Sequence, residues 1–179
     1  MDLLCFDLVN SQWYITHKPY RDPLRDRDWL ADFLEHWRLA DLAAPSAAQL
    51  DELLALRSLL TEIIGTLCRK ETLTGEQLAA ANRYLRLAPL RYEAAAAAGQ
   101  FQLELKPLQW DWNYALAKIT ASLFELLAHY PLDRLRQCEN PDCRWVFYDD
   151  SKSSTRKWCG NTCASLIKVR KFREKHKGI

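Results

Sequence analysis

The chain has 179 residues, 49% of them hydrophobic and 27% charged, with a formal net charge of +2. This is the balance of a water-soluble protein with its own core, and no apolar run approaches the roughly 20 residues of a membrane-spanning helix. The opening Met1-Asp2-Leu3-Leu4-Cys5 carries an acid where a secretory leader carries positive charge, so a cytoplasmic protein with reduced cysteines is expected.

In chain order, Asp26 or Asp28 caps a first helix that carries Trp29, Leu30, Phe33, Leu34 and Trp37 on one face. Ser46 with Gln49 three residues on is a capping box, and it opens a second helix bearing Leu50, Leu53, Leu54, Leu60, Ile63, Ile64 and Leu67. Thr74 and Gln77 repeat the signal for a third helix, which runs to about Leu87 and stops before Pro89. From Leu90 to Lys106 two signals compete: Ala94 to Ala98 favour helix, whereas Phe101-Gln-Leu-Glu-Leu105 alternates like a strand. A β-hairpin turning near Gly99-Gln100 is expected. Leu90 and Tyr92 then share a face with Phe101, Leu103 and Leu105, and the alanines fit where a neighbour packs closely. A fourth long helix spans about Gln109 to His129 and is stopped by Pro131. The expected fold class is α+β, mainly α: an N-terminal helical domain over 1–133 with a small β-hairpin, then a C-terminal unit over 134–179.

Cys138, Cys143, Cys159 and Cys163 form two close pairs, with four residues inside the first, three inside the second and fifteen between them. That spacing approximates the two knuckles of a four-cysteine zinc site, because zinc favours a closed tetrahedral shell of soft thiolates. Asn140-Pro141-Asp142 supplies a turn inside the first pair, and Cys159 and Cys163 suit the first turn of a helix. One structural zinc, held by a β-hairpin followed by a basic helix, is the reading. A catalytic zinc would need an open position, and His129 and His176 lie outside both knuckles. Cys5 and Cys68 sit among apolar residues and read as core.

Charge is polarised along the chain. Residues 134–179 hold twelve lysines and arginines against five acids, a formal +7, and the other 133 residues carry −5. Lys152, Arg156 and Lys157 lie in the loop between the cysteine pairs; Lys168, Arg170, Lys171, Arg173 and Lys175 follow the last cysteine. These eight are the candidate contacts to the phosphates of double-stranded DNA, set against the plainer reading of a solvated helix end. Leu166, Val169 and Phe172 recur every third residue and are expected to pack on the zinc hairpin. Trp145, Phe147 and Trp158 offer stacking surfaces for bases or, more simply, the core of a small unit. Asp149-Asp150 reads as a solvated turn, and no nucleotide-loop, nucleophile-elbow or zinc-protease motif points to an enzyme.

Several tracts resemble the CGNR-type zinc finger proteins of bacteria, whose N-terminal part is the ABATE domain. They are Leu4-Cys-Phe-Asp-Leu-Val-Asn10, Leu132-Asp-Arg-Leu-Arg-Gln-Cys138, and the run from Cys143 through Trp145-Val-Phe-Tyr148 to Trp158-Cys159. The resemblance implies a stress-related transcription regulator whose finger binds DNA and whose larger domain senses a small-molecule effector. The chain departs from the family's Cys-Gly-Asn-Arg tetrad: the fourth cysteine opens Cys163-Ala-Ser-Leu166, without the arginine, and Gly160-Asn161 follows Cys159 instead. Asp7, Asn10, Arg57 and Asn82 are polar residues in apolar tracts, either lining an effector pocket or serving as caps and backbone partners. Trp13, Trp29, Trp37, Trp110 and Trp112 offer cavity walls or core. A single finger would bind weakly alone, so either a homodimer or additional contacts are expected. The competing readings are a zinc-stabilised protein-interaction module and a redox or stress sensor without direct DNA binding.

Overall fold

Leu4-Cys-Phe-Asp-Leu-Val-Asn10 is apolar on nearly every side, and a helix without a polar face belongs at the centre of a core. In the computed structural model, which describes residues 3–12, 21–97 and 99–176, this tract is α1 (Leu4–Asn10), with six of its seven residues buried. The sequence reading starts its helices only at Asp26, because seven residues are too few to display a helical period. The Ser122 hydroxyl accepts the Cys5 N–H at 3.0 Å, satisfying one of the free donors at the helix start.

The other helices wrap this centre. Asp26 caps α2 (Arg27–His36), accepting from the Asp28 and Trp29 N–H groups. Ser46 and Thr74 close complete capping boxes on α3 (Ala47–Cys68) and α4 (Gly75–Leu85), and Asp111 caps α5 (Trp112–His129). Leu53, Leu56, Leu60, Ile63 and Ile64 of α3 meet Leu116, Ile119 and Leu123 of α5 and the apolar residues of α1 in one buried cluster. Trp112 is buried, Trp29 and Trp37 pack on the cluster's edge, Trp110 is exposed, and Trp13 lies outside the described residues. None of the described helices is long and apolar enough to cross a membrane.

Leu90–Ala97 and Gln100–Pro107 form the antiparallel ribbon β1–β2, turning at Gly99, whose φ of 77° is reached readily only without a side chain. The alternation of Phe101 to Leu105 therefore prevails over the helix propensity of the alanines. No neighbour covers this face among the described residues: Leu90, Tyr92, Phe101, Leu103 and Leu105 are all exposed.

Beyond α5, a turn at Leu132–Arg134 leads into β3 (Leu135–Gln137), which pairs with β4 (Val146–Tyr148), and α6 (Asn161–Lys175) ends the described chain. The hairpin serves two cores through its period of two. Val146 and Tyr148, with Leu135, join the helical cluster, whereas Phe147 points the other way into a second cluster with Cys138, Cys143 and Cys163. Asn10 fastens the junction: its side chain donates to the Val146 carbonyl at 2.9 Å and accepts the Val146 N–H at 2.7 Å.

Candidate metal centre

The first knuckle extends the β3–β4 hairpin, with the Cys138 N–H donating to the Trp145 carbonyl at 2.8 Å. At its tip Asn140 makes the turn. Its backbone carbonyl accepts the Cys143 N–H at 2.9 Å and its side-chain oxygen accepts the Asp142 N–H at 3.3 Å. The second knuckle is the start of α6, where Gly160 is the N-cap and Cys163 sits in the first turn. The four Sγ atoms lie within 4.8 Å of one another, and all six cysteines of the chain are unbridged.

Donor chemistry and spacing both fit zinc. Zn–S bonds of about 2.3 Å in a tetrahedron set the sulfurs about 3.8 Å apart; Cys143 and Cys159 stand 3.6 Å apart, Cys159 and Cys163 3.7 Å. Two N–H groups point at the sulfurs as they would at thiolates: Asn140 Nδ2 to Cys163 at 3.3 Å and the Cys159 backbone to Cys138 at 3.5 Å. Burial pushes the Cys143 thiol up to about 11 and raises Cys159 further, with the neighbouring sulfurs adding to the latter. For Cys163, burial is outweighed by the Asn140 amide and the adjacent thiols, and its pKa falls. A closed set of thiols that resists ionising together calls for a cation, and a bound zinc would replace their protons. With four thiolates and no open position, the metal's role is structural. Burial raises Cys5 and Cys68 to about 11, which leaves both as unreactive packing residues.

The loop between the knuckles is built on Asp149, which is buried rather than solvated. Its carboxylate accepts from the Ser151 N–H at 3.1 Å, from the Ser151 hydroxyl and from the Arg156 N–H at 2.9 Å. Burial alone would raise its pKa; those donors reverse the shift and lower it. Arg156 is exposed but turns its guanidinium back onto the module, donating to the Trp158 carbonyl at 3.0 Å and to the Cys159 carbonyl, and lying 4.9 Å from the Phe147 ring centroid. Trp145, Phe147 and Trp158 form the module's small core with the cysteines. The sequence reading has the turn at Asn140 but not its amide's contact to Cys163, and it takes Asp149 as solvated; a Ser following Asp149-Asp150 and a Pro following Asn140 are the only local hints of these roles.

On α6 the position of Cys163 fixes the inward face. Ile167 and Arg170 follow it at the i+4 and i+7 spacing, and Arg170 pairs with Asp142 of the first knuckle. Leu166, Val169 and Phe172 are thereby turned to solvent instead of packing on the hairpin. Lys168, Lys171 and Lys175 project from the far side, Arg173 is exposed, and none of the four has an ion-pair partner among the described residues. Lys152 is exposed on the loop and Lys157 pairs with Glu139 at 3.6 Å. The basic character continues across the junction into an open cleft of about 700 Å³ lined by Arg69, Lys70, Arg136, Arg156 and Lys157.

The four polar residues of the helical part do not converge. Arg57 is buried and forms a two-pronged pair with Asp22, one arm at 2.8 Å, and also donates to Ser11 Oγ at 2.9 Å. Asn82 is exposed on α4. Asp7, which accepts the Trp37 indole N–H at 3.0 Å, and Asn10 share a small pocket of about 250 Å³ walled by Trp29, Phe33, Trp37 and Trp145.

A helical body and a four-thiolate module sharing one β-hairpin define the class: a mainly helical protein carrying a structural zinc finger. The chain belongs to the ABATE family, described as "Putative stress-induced transcription regulator", which matches residues 2–130, and its C-terminal residues 134–176 match the CGNR zinc finger. No curated protein matches the chain.

Proposed function

We propose that this protein is a cytoplasmic bacterial transcription regulator that binds double-stranded DNA through the outward face of α6 and the loop between the knuckles. The observation that carries this reading is the set of solvent-facing cations without an ion-pair partner among the described residues: Lys168, Lys171, Arg173 and Lys175 on a helix whose first turn carries a cysteine of the zinc site, and Lys152 on the loop between the knuckles. Such a helix holds its charges at fixed spacing while the buried thiolates keep the other end rigid. Arg156 serves the finger's integrity on this reading, and Arg170 is shared with Asp142. The division of labour falls between 1–133 and 134–179. An effector binds the aromatic pocket beside Asp7 and Asn10, whose wall includes Trp145 of the finger, so occupancy there bears directly on the finger's attachment.

The test is fluorescence anisotropy of the zinc-loaded protein with a labelled duplex over a salt series, against a chelated sample. Five phosphate contacts give a log–log salt slope of about −4 to −5, and Lys168→Ala/Lys171→Ala/Arg173→Ala lowers its magnitude by about 3. Binding that survives chelation, or a slope the triple variant leaves alone, defeats this assignment. The exposed Leu166, Val169 and Phe172 favour a second reading, in which α6 docks on a protein. An absence of duplex binding at low salt would select it.

A further inference from the structure

The β1–β2 ribbon has one apolar face. In its register Leu90 lies opposite Pro107, Tyr92 opposite Leu105, Ala94 opposite Leu103 and Ala96 opposite Phe101, and opposed residues point to the same side. The intervening residues, Arg91, Glu93, Glu104 and Lys106, cover the other side and pair among themselves, so the ribbon carries no net charge there. On the apolar side Leu90 is 51% exposed, Tyr92 71%, Phe101 89%, Leu103 69% and Leu105 56%. At about 200 Å² for each such side chain in full contact with water, the five leave roughly 700 Å² uncovered. That exceeds the few hundred Å² at which apolar patches on monomers usually stop. An isolated two-stranded ribbon is also marginal in water, and among the described residues this one has extensive contacts with no other helix or strand.

We propose that this face is the interface of a homodimer, covered by the same face of a second copy. Two observations select a second copy over another partner. The outer half of the face is a ridge beside a groove: Phe101 and Leu103 stand on β2, and the small Ala94 and Ala96 stand beside them on β1. Stacking two ribbons about a two-fold axis parallel to their strands lays the β2 ridge of each over the β1 groove of the other. The surface is therefore its own complement. The area agrees, since two such faces bury roughly 1,400 Å² in all, within the range of specific interfaces. The neutral, internally paired flank neither repels an identical copy nor recruits a charged partner.

Sedimentation equilibrium of the zinc-loaded full chain, without DNA, tests this separately from nucleic-acid binding. The expected mass is twice the 20.9 kDa of one chain, and it persists at high salt because the contact is apolar. Phe101→Glu/Leu103→Glu weakens association by at least about 100-fold, with zinc content and far-ultraviolet circular dichroism unchanged. A benzophenone side chain in place of Phe101 cross-links to the β1 segment around Ala94 and Ala96 of a second copy. That cross-link reads the interface even if the glutamate variant misfolds. A monomer at high micromolar concentration, an unaltered association constant in the folded glutamate variant, or a cross-link confined to another segment overturns the proposal.

Discussion

Two buried side chains, Asn10 and Arg57, tie distant parts of the chain together. Asn10 occupies both hydrogen-bonding groups of Val146, the residue by which β4 enters the helical core. Asn10→Ala leaves a buried donor and acceptor unpaired, which costs about 2–4 kcal/mol, and a shift of the urea midpoint at unchanged slope measures it. Arg57 and Asp22 form a buried pair, and burial, which would raise the Asp22 carboxyl, is outweighed by the guanidinium, so its folded pKa lies below the ordinary value. A depressed folded pKa means that the pair's contribution is complete above the unfolded value of about 4 and is lost as pH falls through the folded one. Arg57→Met alone strands the carboxylate and costs about 3–5 kcal/mol. Asp22→Asn/Arg57→Met recovers most of that loss and flattens the acid side of the stability profile, as followed by thermal melts between pH 2 and 7. If the profile of the double variant matches the parent's, other carboxylates govern acid unfolding. Neither role was legible locally, because each partner lies far along the chain: Val146 for Asn10, Asp22 for Arg57.

Helices were read well where a local signal marks their ends. The capping boxes at Ser46 and Thr74 and the cap at Asp26 stand where the sequence puts them, since a cap involves residues only three apart. Ser46→Ala lowers stability by about 1 kcal/mol, measurable by denaturant titration. α1 was missed because its burial on nearly all sides hides any period. The face of α6 was misassigned for a different reason. Apolar spacing placed Leu166, Val169 and Phe172 inward, but the demand that Cys163 reach the other three sulfurs prevails over burial of three side chains on so small a module. Cys163→Ser, by opening the thiolate set, abolishes tight zinc binding and the helical signal of α6, and far-ultraviolet circular dichroism with and without zinc reads the loss. Helicity that persists without metal would mean that α6 is held by contacts other than its first turn.

At the scale of the whole molecule, the hairpin that carries the first knuckle is also a wall of the helical core, through Leu135, Val146 and Tyr148. Chelation therefore does more than unfold an appendage. It melts α6 and the knuckles, and it also lowers the thermal midpoint of the helical body while leaving that body cooperative; calorimetry with and without chelator separates the two effects. An unchanged midpoint would show that the finger is energetically detached. The sequence by itself determined the elements with local markers and the four thiolates, because caps and ligand spacing depend on near neighbours; over 90–106 it carried competing helix and strand signals, and the structure shows the hairpin. Only the tertiary structure decided that Asp149 is buried, that Arg156 turns back onto its own module, and that, among the described residues, four cations of α6 lack an ion-pair partner and the ribbon's apolar face is left exposed. Those outcomes depend on which distant residues occupy the neighbouring space, and spacing along one chain carries no record of that.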